Sequence, residues 1–304
     1  MGMPVRIVLY AGDEAAAVRA ATAAFARIAA LDAVMSDYRP DSEIRNLSRL
    51  SPAPIIVSPD VFRVVARAIA IARDTDGAFD PTVAPLVALW RDARTTGRLP
   101  ARAAVDAARA LTGWRRVELD AARSSIRLPD PGMRIDLGGI AKGYILQAAL
   151  TTLRGAGHGA ALVEAGGDIV AGDAPPVQAG WRIAVAGDSG NELGGDIRAN
   201  ASYLARATFA SELISNAALA TSGPAAQFVE IDGVRYSHVV DPRTGWALTS
   251  SVTAHVIAPD GATADALATA ATVAGARGLD AIRARFPGAR IYLVESVGAT
   301  AAVR

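Results

Sequence analysis

The stretch Arg134-Ile-Asp-Leu-Gly-Gly-Ile-Ala-Lys-Gly-Tyr144 changes its pattern in the middle. Ile135 and Leu137 flank Asp136 in an alternating run, which predicts a short strand. The glycine pair after Leu137 ends that run, and residues 140–150 are apolar at helical spacing, which predicts a helix. A strand, a glycine pair and the start of a helix leave backbone N–H groups free, and these suit an anion such as phosphate.

Spacing alone leaves two interpretations of this stretch open. Lys142 in the first helical turn adds a mobile positive charge and Asp136 adds a negative one, which suits a charged ligand. An ordinary turn between a strand and a helix, with a solvated lysine, explains the same residues equally well. A nucleotide-binding P-loop is excluded, because the sequence contains no Gly-x-x-x-x-Gly-Lys-Ser/Thr.

The composition is that of a globular protein with a large core. The chain has 304 residues, of which 51% are hydrophobic and 20% charged, and its net charge is +1. Because the basic residues are scattered, neither a nucleic-acid surface nor an electrostatic membrane anchor is favoured. The absence of cysteine excludes disulfides, thiolate metal sites and cysteine nucleophiles. His158, His238 and His255 lack the spacing of a zinc site, so if a metal binds, magnesium or calcium on oxygen ligands is expected.

The sequence contains no signal for a membrane. No window approaches 18 consecutive strongly apolar residues, so no transmembrane span is expected. The apolar part of residues 1–10 is too short for a secretory signal, and no cleavage pattern follows it. Two compartments stay open: the cytoplasm, or the periplasm if the chain is a trimmed form of an exported, membrane-anchored protein.

Helices and strands alternate only in part, which favours an α+β fold of mostly antiparallel sheets flanked by helices. Helices are predicted at residues 13–35, 58–76, 101–111, 140–150, 265–274 and 279–286, with a short one ending near Trp90. Strands are predicted at residues 5–10, 115–119, 125–128, 134–137, 160–163, 168–170, 181–185 and 291–294, with further strands between 203 and 257. Residues 35–44 and 77–82 are predicted loops, and residues 187–200 a flexible excursion. Residues 1–304 are expected to form one unit, as a single body or as two closely packed subdomains.

Asp265 and Thr269 place a carboxylate and a hydroxyl on one face of a predicted helix. Two hard oxygens so placed could ligate magnesium, which takes its other ligands from water and substrate phosphates. The alternative is structural, because Asp265 would also complement the helix dipole and Thr269 could bond back to a helix carbonyl.

The segment His238-Val-Val-Asp-Pro-Arg-Thr-Gly245 holds a histidine, an aspartate and an arginine within six residues. Such groups are suited to proton transfer and phosphate binding. The alternative is a β-turn in which Asp241 and Thr244 bond to the local backbone while Arg243 is solvated. The hydroxyl-rich turn Thr221-Ser222-Gly223 is open to both interpretations.

In their order along the chain, these motifs resemble those of the ApbE family of FAD:protein FMN transferases. Seven blocks in register, spanning over 200 residues, carry the resemblance, and together they are far more specific than any one of them. The blocks are residues 35–38 with 42–43, 77–80, 136–143, 166–168, 221–223, 238–245 and 264–269. The chain departs from the family pattern at Pro224, close to where tyrosine is usual, and at Ser48 and Glu164, where asparagine is usual.

The resemblance implies a T-fold-like architecture and a magnesium-dependent enzyme that splits FAD at its pyrophosphate. FMN would pass to a serine or threonine hydroxyl of an acceptor protein as a phosphoester, and AMP would be released. The acceptor would carry a Ser/Thr-containing flavinylation motif, as in a redox-driven ion pump subunit or a flavin reductase domain. The alternatives are an FAD pyrophosphatase that forms FMN and AMP, and a flavin-binding protein without catalysis.

The resemblance also implies a role for each matched residue. The residues that contact FAD would be Met1, Tyr38, Ala78, Phe79, Asp80, Asp136, Lys142 and Ser222. The magnesium ligands would be the side chains of Asp265 and Thr269 and backbone carbonyls near Gly139 and Ala262. His238 would handle the proton of the acceptor hydroxyl, with Arg243 nearby. Catalysis is favoured over simple flavin binding, because a carrier needs neither the metal pair nor the histidine.

Overall fold

The structure, a computed structural model, describes residues 2–185, 210–224 and 228–295. Within these ranges the α-helices are α1 (Glu14–Met35), α2 (Glu43–Leu50), α3 (Pro59–Asp74), α4 (Ala84–Thr96), α5 (Arg102–Ala110), α6 (Ala141–Gly155) and α7 (Gly261–Arg285). The strands are β1 (Val5–Leu9), β2 (Ile55–Ile56), β3 (Glu118–Asp120), β4 (Ser125–Arg127), β5 (Ala161–Ala165), β6 (Asp168–Ala171), β7 (Trp181–Val185), β8 (Ala210–Ile214), β9 (Ala217–Ser222), β10 (Phe228–Ile231), β11 (Val234–Ser237), β12 (Val252–Ala258) and β13 (Arg290–Glu295).

Six strands form the central sheet in the order β1-β5-β6-β9-β12-β13, and all neighbouring pairs are antiparallel. Three smaller sheets, β2-β4-β3, β7-β8 and β10-β11, complete the β structure of the described residues. The β10-β11 hairpin turns at Asp232 and Gly233, whose positive φ values suit a two-residue hairpin loop. The predicted α+β fold with antiparallel sheets is confirmed.

The two faces of the central sheet have different partners. Val170 of β6 and Val256 of β12 belong to the main apolar core, which also contains residues of α1, α3, α6 and α7. Ile169 and Ile257, the next residues along the same strands, pack in a second cluster with residues of β7 and β8. Since alternate strand residues face opposite sides, Asp168 lies on the same face as Val170, toward the helices.

Helices α6 and α7 touch each other through their backbones near their first turns. A Cβ atom on Gly143 would lie 1.9 Å from the carbonyl oxygen of Gly261, and a Cβ on Gly261 would lie 2.2 Å from that of Gly143. Any side chain at either position would force the helices apart. The two glycines therefore let the starts of α6 and α7 meet at one place.

Polar caps define where several helices begin, as the sequence predicts for two of them. Asp13 accepts a hydrogen bond from an amide of α1, and Ser58 caps α3 ahead of a proline at the first helical position. Asp260 caps α7 by accepting from the amide of Thr263 at 2.8 Å. This last cap fixes the end of α7 that touches α6.

The predicted strand at residues 134–137 is wrong, because this segment belongs to no β-ladder. The amide of Asp136 donates to the carbonyl oxygen of Pro81 at 2.8 Å, and that of Ile135 donates to the hydroxyl of Ser48. Proline has no N–H group to return a ladder hydrogen bond, and a serine side chain cannot extend one. The segment is thereby held beside the loop that contains Pro81.

Other elements differ in extent from the prediction. Helix α2 begins at Glu43, which the sequence places in a loop, and α4 continues to Thr96, well beyond Trp90. The two predicted C-terminal helices are both present within α7, which a kink at Gly275, with a φ of 59°, divides into two helical segments. Residues 187–200, the predicted excursion, lie outside the described residues. In the described part of the chain, the helices are too short or too polar to span a bilayer.

Candidate active site

Lys142 and Asp168 form a buried ion pair where α6 begins. The Nζ atom of Lys142 lies 2.9 Å from Oδ2 of Asp168, the first residue of β6. The side chain of Lys142 is 20% exposed and that of Asp168 only 2%. The second oxygen of Asp168, Oδ1, accepts a hydrogen bond from the amide of Thr221 on β9 at 3.1 Å. The carboxylate is therefore held from two sides, by the ammonium and by the sheet.

Asp265 lies beside this pair, in the first turns of α7. Its Oδ2 atom accepts a hydrogen bond from the amide of Gly143 at 3.0 Å, which links α7 to the start of α6. Burial raises the pKa of Asp265 to about 7, and the charge of Asp168 adds to this shift, while Lys142 opposes it. A carboxylate in such surroundings would be stabilised in its charged form by a bound cation.

Lys142 keeps its positive charge in this setting. Burial lowers the pKa of Lys142, but the attraction of Asp168 and Asp265 outweighs burial, and the net pKa is raised above the usual value. Burial raises the pKa of Asp168, and its pairing with Lys142 opposes that shift. The site thus combines one buried cation with two buried carboxylates.

The four predicted magnesium ligands lie around the joined starts of α6 and α7. A Cβ atom on Gly139 would lie 2.9 Å from the hydroxyl oxygen of Thr269, so the backbone of Gly139 borders that hydroxyl. Ala262 follows Gly261, and its amide lies 3.0 Å from the position of a Cβ on Gly143. Asp265 reaches the same glycine through its carboxylate. Asp265 and Thr269, which share one face of α7, therefore both lie beside residues at the start of α6.

The available donors fit magnesium better than a softer metal. Among the described residues, no group of three or more histidine, aspartate or glutamate side chains is arranged to hold a metal. A cation here would depend on one carboxylate, one hydroxyl and backbone carbonyl oxygens, all of them hard ligands. Magnesium accepts such a partial set, because it commonly completes its coordination with water and substrate phosphates.

Tyr38 and Asp136 are connected by an arginine that the sequence interpretation missed. Arg91 of α4 lies 3.5 Å from Oδ2 of Asp136 and 2.5 Å from Oδ2 of Asp37. Its guanidinium carbon also lies 4.9 Å from the centre of the Tyr38 ring, which is 81% exposed. The second oxygen of Asp136 accepts from the amide of Gly138 at 2.7 Å. Burial raises the pKa of Asp136, and the Gly138 amide and Arg91 oppose the shift.

Ala78, Phe79 and Asp80 form a buried wall behind the site. Ala78 and Phe79 are nearly inaccessible to solvent, and a ring carbon of Phe79 borders Gly139. The carboxylate of Asp80 accepts hydrogen bonds from the amide and hydroxyl of Thr82 and from the amide of Trp114. Burial raises the pKa of Asp80 despite these bonds. In this arrangement Asp80 organises the loop that carries Phe79.

His238, Arg243 and Ser222 lie on segments that border α7 further along. Arg243 binds Asp241 through two hydrogen bonds of 2.9 Å and reaches the carbonyl of Val273 at 3.5 Å. The carbonyl of Ser222 accepts from the hydroxyl of Thr272 on α7 at 2.9 Å. His238 is half-buried directly after β11. Asp241 and Thr244 accept hydrogen bonds from local backbone amides, as in the structural alternative, whereas Arg243 is paired with Asp241 and its loop contacts α7.

Two residues of the site escaped the sequence interpretation, and one expected residue cannot be placed. Asp168 belongs to the glycine-rich block at residues 166–168, which the sequence identifies, but its pairing with Lys142 could not be predicted from the sequence. Apart from its charge, nothing in the sequence around Arg91 indicates a role in the site. Met1, an expected FAD contact, lies outside the described residues. Lys142 is the only lysine among the 31 lysine and arginine residues, but this does not identify Asp168 as its partner.

The fold recurs in solved structures of one group of enzymes. The ApbE protein of Thermotoga maritima matches with a TM-score of 0.81 and 29% identity, covering 98% of this chain and 93% of that chain. The flavin transferase ApbE of Vibrio cholerae matches with a TM-score of 0.79 and 29% identity, covering 97% and 94%. By fold and by relationship, the chain is an α+β enzyme of the transferase class.

Comparison with curated relatives and with a family model identifies the enzyme family. The FAD:protein FMN transferase of Klebsiella pneumoniae is 31% identical over 254 residues, which cover 83% of this chain and 73% of the relative. That of Treponema pallidum is 30% identical over 304 residues, covering 95% and 80%. The model of the ApbE family matches residues 1–293. The chain belongs to the ApbE family.

Proposed function

We propose that this chain transfers FMN from FAD to a serine or threonine hydroxyl of an acceptor protein and releases AMP. The observation that carries the proposal is the cluster of Lys142, Asp168 and Asp265 at the joined starts of α6 and α7. A buried ammonium beside a buried carboxylate suits a substrate that brings phosphates and a metal ion. The names of the curated relatives support FAD as donor and a protein as acceptor.

Magnesium would be held by the carboxylate of Asp265, the hydroxyl of Thr269 and the backbone carbonyls of Gly139 and Ala262. When bound, it would neutralise charge on the phosphate oxygens of FAD, the main requirement of phosphoryl-type transfer. The burial of Asp265 supports this assignment, because a cation removes the cost of keeping that carboxylate charged.

Lys142 would bind the pyrophosphate of FAD from the start of α6. The positive end of the α6 dipole lies at this helix start and adds to the attraction of the Lys142 ammonium for an anion. Because these groups are already ordered and largely buried, they would stabilise developing charge without rearranging during the reaction. Lys142 would thus serve the substrate phosphates rather than the acceptor.

Tyr38 and Asp136 would bind the flavin part of FAD. The exposed Tyr38 ring offers a π-face for the isoalloxazine or adenine ring. The Asp136 carboxylate would accept a hydrogen bond from the flavin, with Arg91 orienting both side chains. Phe79 and its neighbours would form the wall of the same pocket, and Ser222 would contact FAD from the end of β9.

The chemical step needs one nucleophile and one proton acceptor. The oxygen of the acceptor hydroxyl attacks the phosphorus of the FMN half of FAD. The bond from that phosphorus to the bridging oxygen breaks, and AMP leaves with that oxygen. His238 would take the proton of the hydroxyl, as a positioned general base. Arg243, oriented by Asp241, would lie next to this exchange.

The test is incubation of the chain with FAD, magnesium and an acceptor domain that carries a Ser/Thr-Gly-Ala-Thr-like segment. Transfer predicts flavin fluorescence on the acceptor band in a gel and an equal amount of AMP. An acceptor in which the hydroxyl residue is replaced by alanine is the control, and it should stay unlabelled. Free FMN and AMP without a labelled acceptor would indicate a pyrophosphatase instead, and unchanged bound FAD a flavin-binding protein.

A variant of His238 tests the assignment of the base. We expect His238→Gln to lower the rate of transfer about 100-fold, the usual contribution of a positioned base. FAD affinity should stay within about threefold of the wild-type value, because the change removes proton transfer rather than a binding contact. A wild-type rate in this variant would remove His238 from the mechanism.

A further inference from the structure

We propose that Asp168 is a positioning residue that holds the ammonium of Lys142 away from Asp265 and so keeps Asp265 available for a divalent cation. The inference rests on the proposed function, because the cation concerned is the magnesium ion of FMN transfer. It concerns a residue that supplies no ligand to the cation. Asp168 acts instead on the ammonium of Lys142, a charged group that could take the place of the cation.

The first step of the argument is that Asp168 itself cannot move easily. It lies on β6, between β5 and β9 in the central sheet. The amide of Thr221 on the neighbouring strand occupies one carboxylate oxygen, and the side chain is 98% buried. Its Oδ2 atom lies 2.9 Å from the ammonium, and among the described residues it accepts no well-aligned hydrogen bond. The charge of Asp168 is therefore compensated mainly by Lys142.

The second step is that Lys142 lies near two carboxylates: its ammonium pairs with Asp168, and Asp265 binds the amide of Gly143, the residue that follows Lys142. Asp168 and Asp265 both attract the ammonium strongly enough to raise the pKa of Lys142 above its usual value. A lysine side chain has a flexible four-carbon stem, so its ammonium can turn toward whichever carboxylate is charged. The observed pairing is with Asp168, while Asp265 accepts from the backbone of Gly143.

The third step concerns what happens when Asp168 loses its charge. A buried ammonium without a partner is unfavourable, and within the described part of the chain Asp265 is the other carboxylate whose charge acts on it. Lys142 would then pair with Asp265 and occupy the position that a metal ion needs. A divalent cation would have to displace the ammonium before it could bind, so its affinity would fall.

The composition of the chain makes this exchange directly observable. Lys142 is its only lysine, so lysine labelled with ¹³C at Cε gives a single side-chain signal. In the wild-type protein that signal should change little when magnesium is added, because Lys142 stays with Asp168. In Asp168→Asn it should shift markedly, because magnesium must displace the ammonium from Asp265. A signal that behaves alike in both proteins would contradict the proposal.

The decisive experiment measures Mn²⁺ binding to the full chain by electron paramagnetic resonance in four proteins: wild type, Asp168→Asn, Lys142→Met and the double variant. We expect Asp168→Asn to weaken Mn²⁺ binding at least about tenfold, as the loss of one strong charge interaction implies. The double variant should return to within about threefold of the wild type, because the competing ammonium is gone. A structural role for Asp168 would not give this rescue.

Controls separate the possible outcomes. Asp173→Asn removes another paired carboxylate, just beyond the opposite end of β6, and should leave Mn²⁺ binding unchanged. Asp168→Glu retains the charge and should keep most of the affinity, even if Asp168→Asn folds poorly. Equal binding in the wild type and Asp168→Asn, or no rescue in the double variant, would overturn this inference alone. A wild-type protein that binds neither Mn²⁺ nor magnesium would overturn the cation of the proposed function, and this inference with it.

Discussion

Gly143 of α6 and Gly261 of α7 touch through their backbones, and no side chain fits between them. Gly143→Ala would place a methyl group 1.9 Å from a carbonyl oxygen, so the two helices would have to separate. We expect this change to lower the free energy of unfolding by about 3 kcal/mol, the upper range for an overpacked core, and to weaken Mn²⁺ binding. Denaturant titration and electron paramagnetic resonance measure the two effects.

Gly155, the last residue of α6, provides the matched control for this substitution. It lies in the same helix, and an added Cβ would meet nothing within 4 Å. We therefore expect Gly155→Ala to leave stability unchanged or to raise it slightly, by at most about 1 kcal/mol. Equal effects of the two substitutions would show that the contact between α6 and α7 is not tightly packed.

Asp265→Asn should stabilise the cation-free protein at pH 7.5 while abolishing metal binding. Asparagine can still accept the hydrogen bond from Gly143, but it carries no charge to bury. The pKa of Asp265 rises from 3.8 to about 7 on folding, so the gain is at most about 4 kcal/mol, at about 1.4 kcal/mol per unit. Thermal unfolding in a chelator measures it. A less stable variant would mean that the buried charge is already fully compensated.

The same pKa shift predicts how stability and metal binding depend on pH. The pKa of Asp265 is higher in the folded state, so the cation-free wild type should lose stability relative to Asp265→Asn as pH rises from about 4 to about 7. Metal binding has the opposite dependence, since it needs the charged carboxylate. Mn²⁺ affinity should fall about tenfold per pH unit below about 7. An affinity independent of pH between 5 and 7, at roughly constant salt, would contradict the metal assignment to Asp265.

Arg91→Met should weaken FAD binding more than it slows turnover. Arg91 compensates the charges of Asp37 and Asp136 and lies against the ring of Tyr38. Its loss would leave two close carboxylates at the flavin end, so we expect the Kd for FAD to rise about tenfold. Arg102→Met, which removes a well-exposed arginine paired with Asp106, should leave the Kd unchanged. Fluorescence quenching of FAD measures both, and equal values would exclude Arg91 from the flavin site.

Local sequence patterns predicted α6 and most of the first part of α7, but not the start of α7, which lies at Gly261 after the Asp260 cap rather than at Asp265. The start of α6 followed from the glycine pair and apolar spacing, and the pairing of Asp265 with Thr269 followed from the period of a helix. The α+β class with antiparallel sheets is confirmed for the same reason, since alternation and turn residues are local properties. The convergence of Gly139, Asp265 and Thr269 also agrees with the expectation, although their roles stay predictions.

Contacts between distant segments could not be predicted from spacing. The ion pair of Lys142 with Asp168 depends on β6 passing beneath the start of α6, which only the assembled sheet determines. The approach of Arg91 to Asp136 depends in the same way on the packing of α4. The false strand at residues 134–137 had the right alternation, but its neighbour is a proline that cannot complete a ladder.

The junction of α6 and α7 also affects when a metal site can exist during folding. Gly143 and Asp265, which meet there, are 122 residues apart in sequence, so an unfolded or half-folded chain cannot bring the ligands together. Magnesium would bind only the native state and would stabilise it according to its concentration relative to the Kd. Metal affinity therefore becomes a reporter of complete folding, and chelation should lower the stability of the native protein without slowing its refolding.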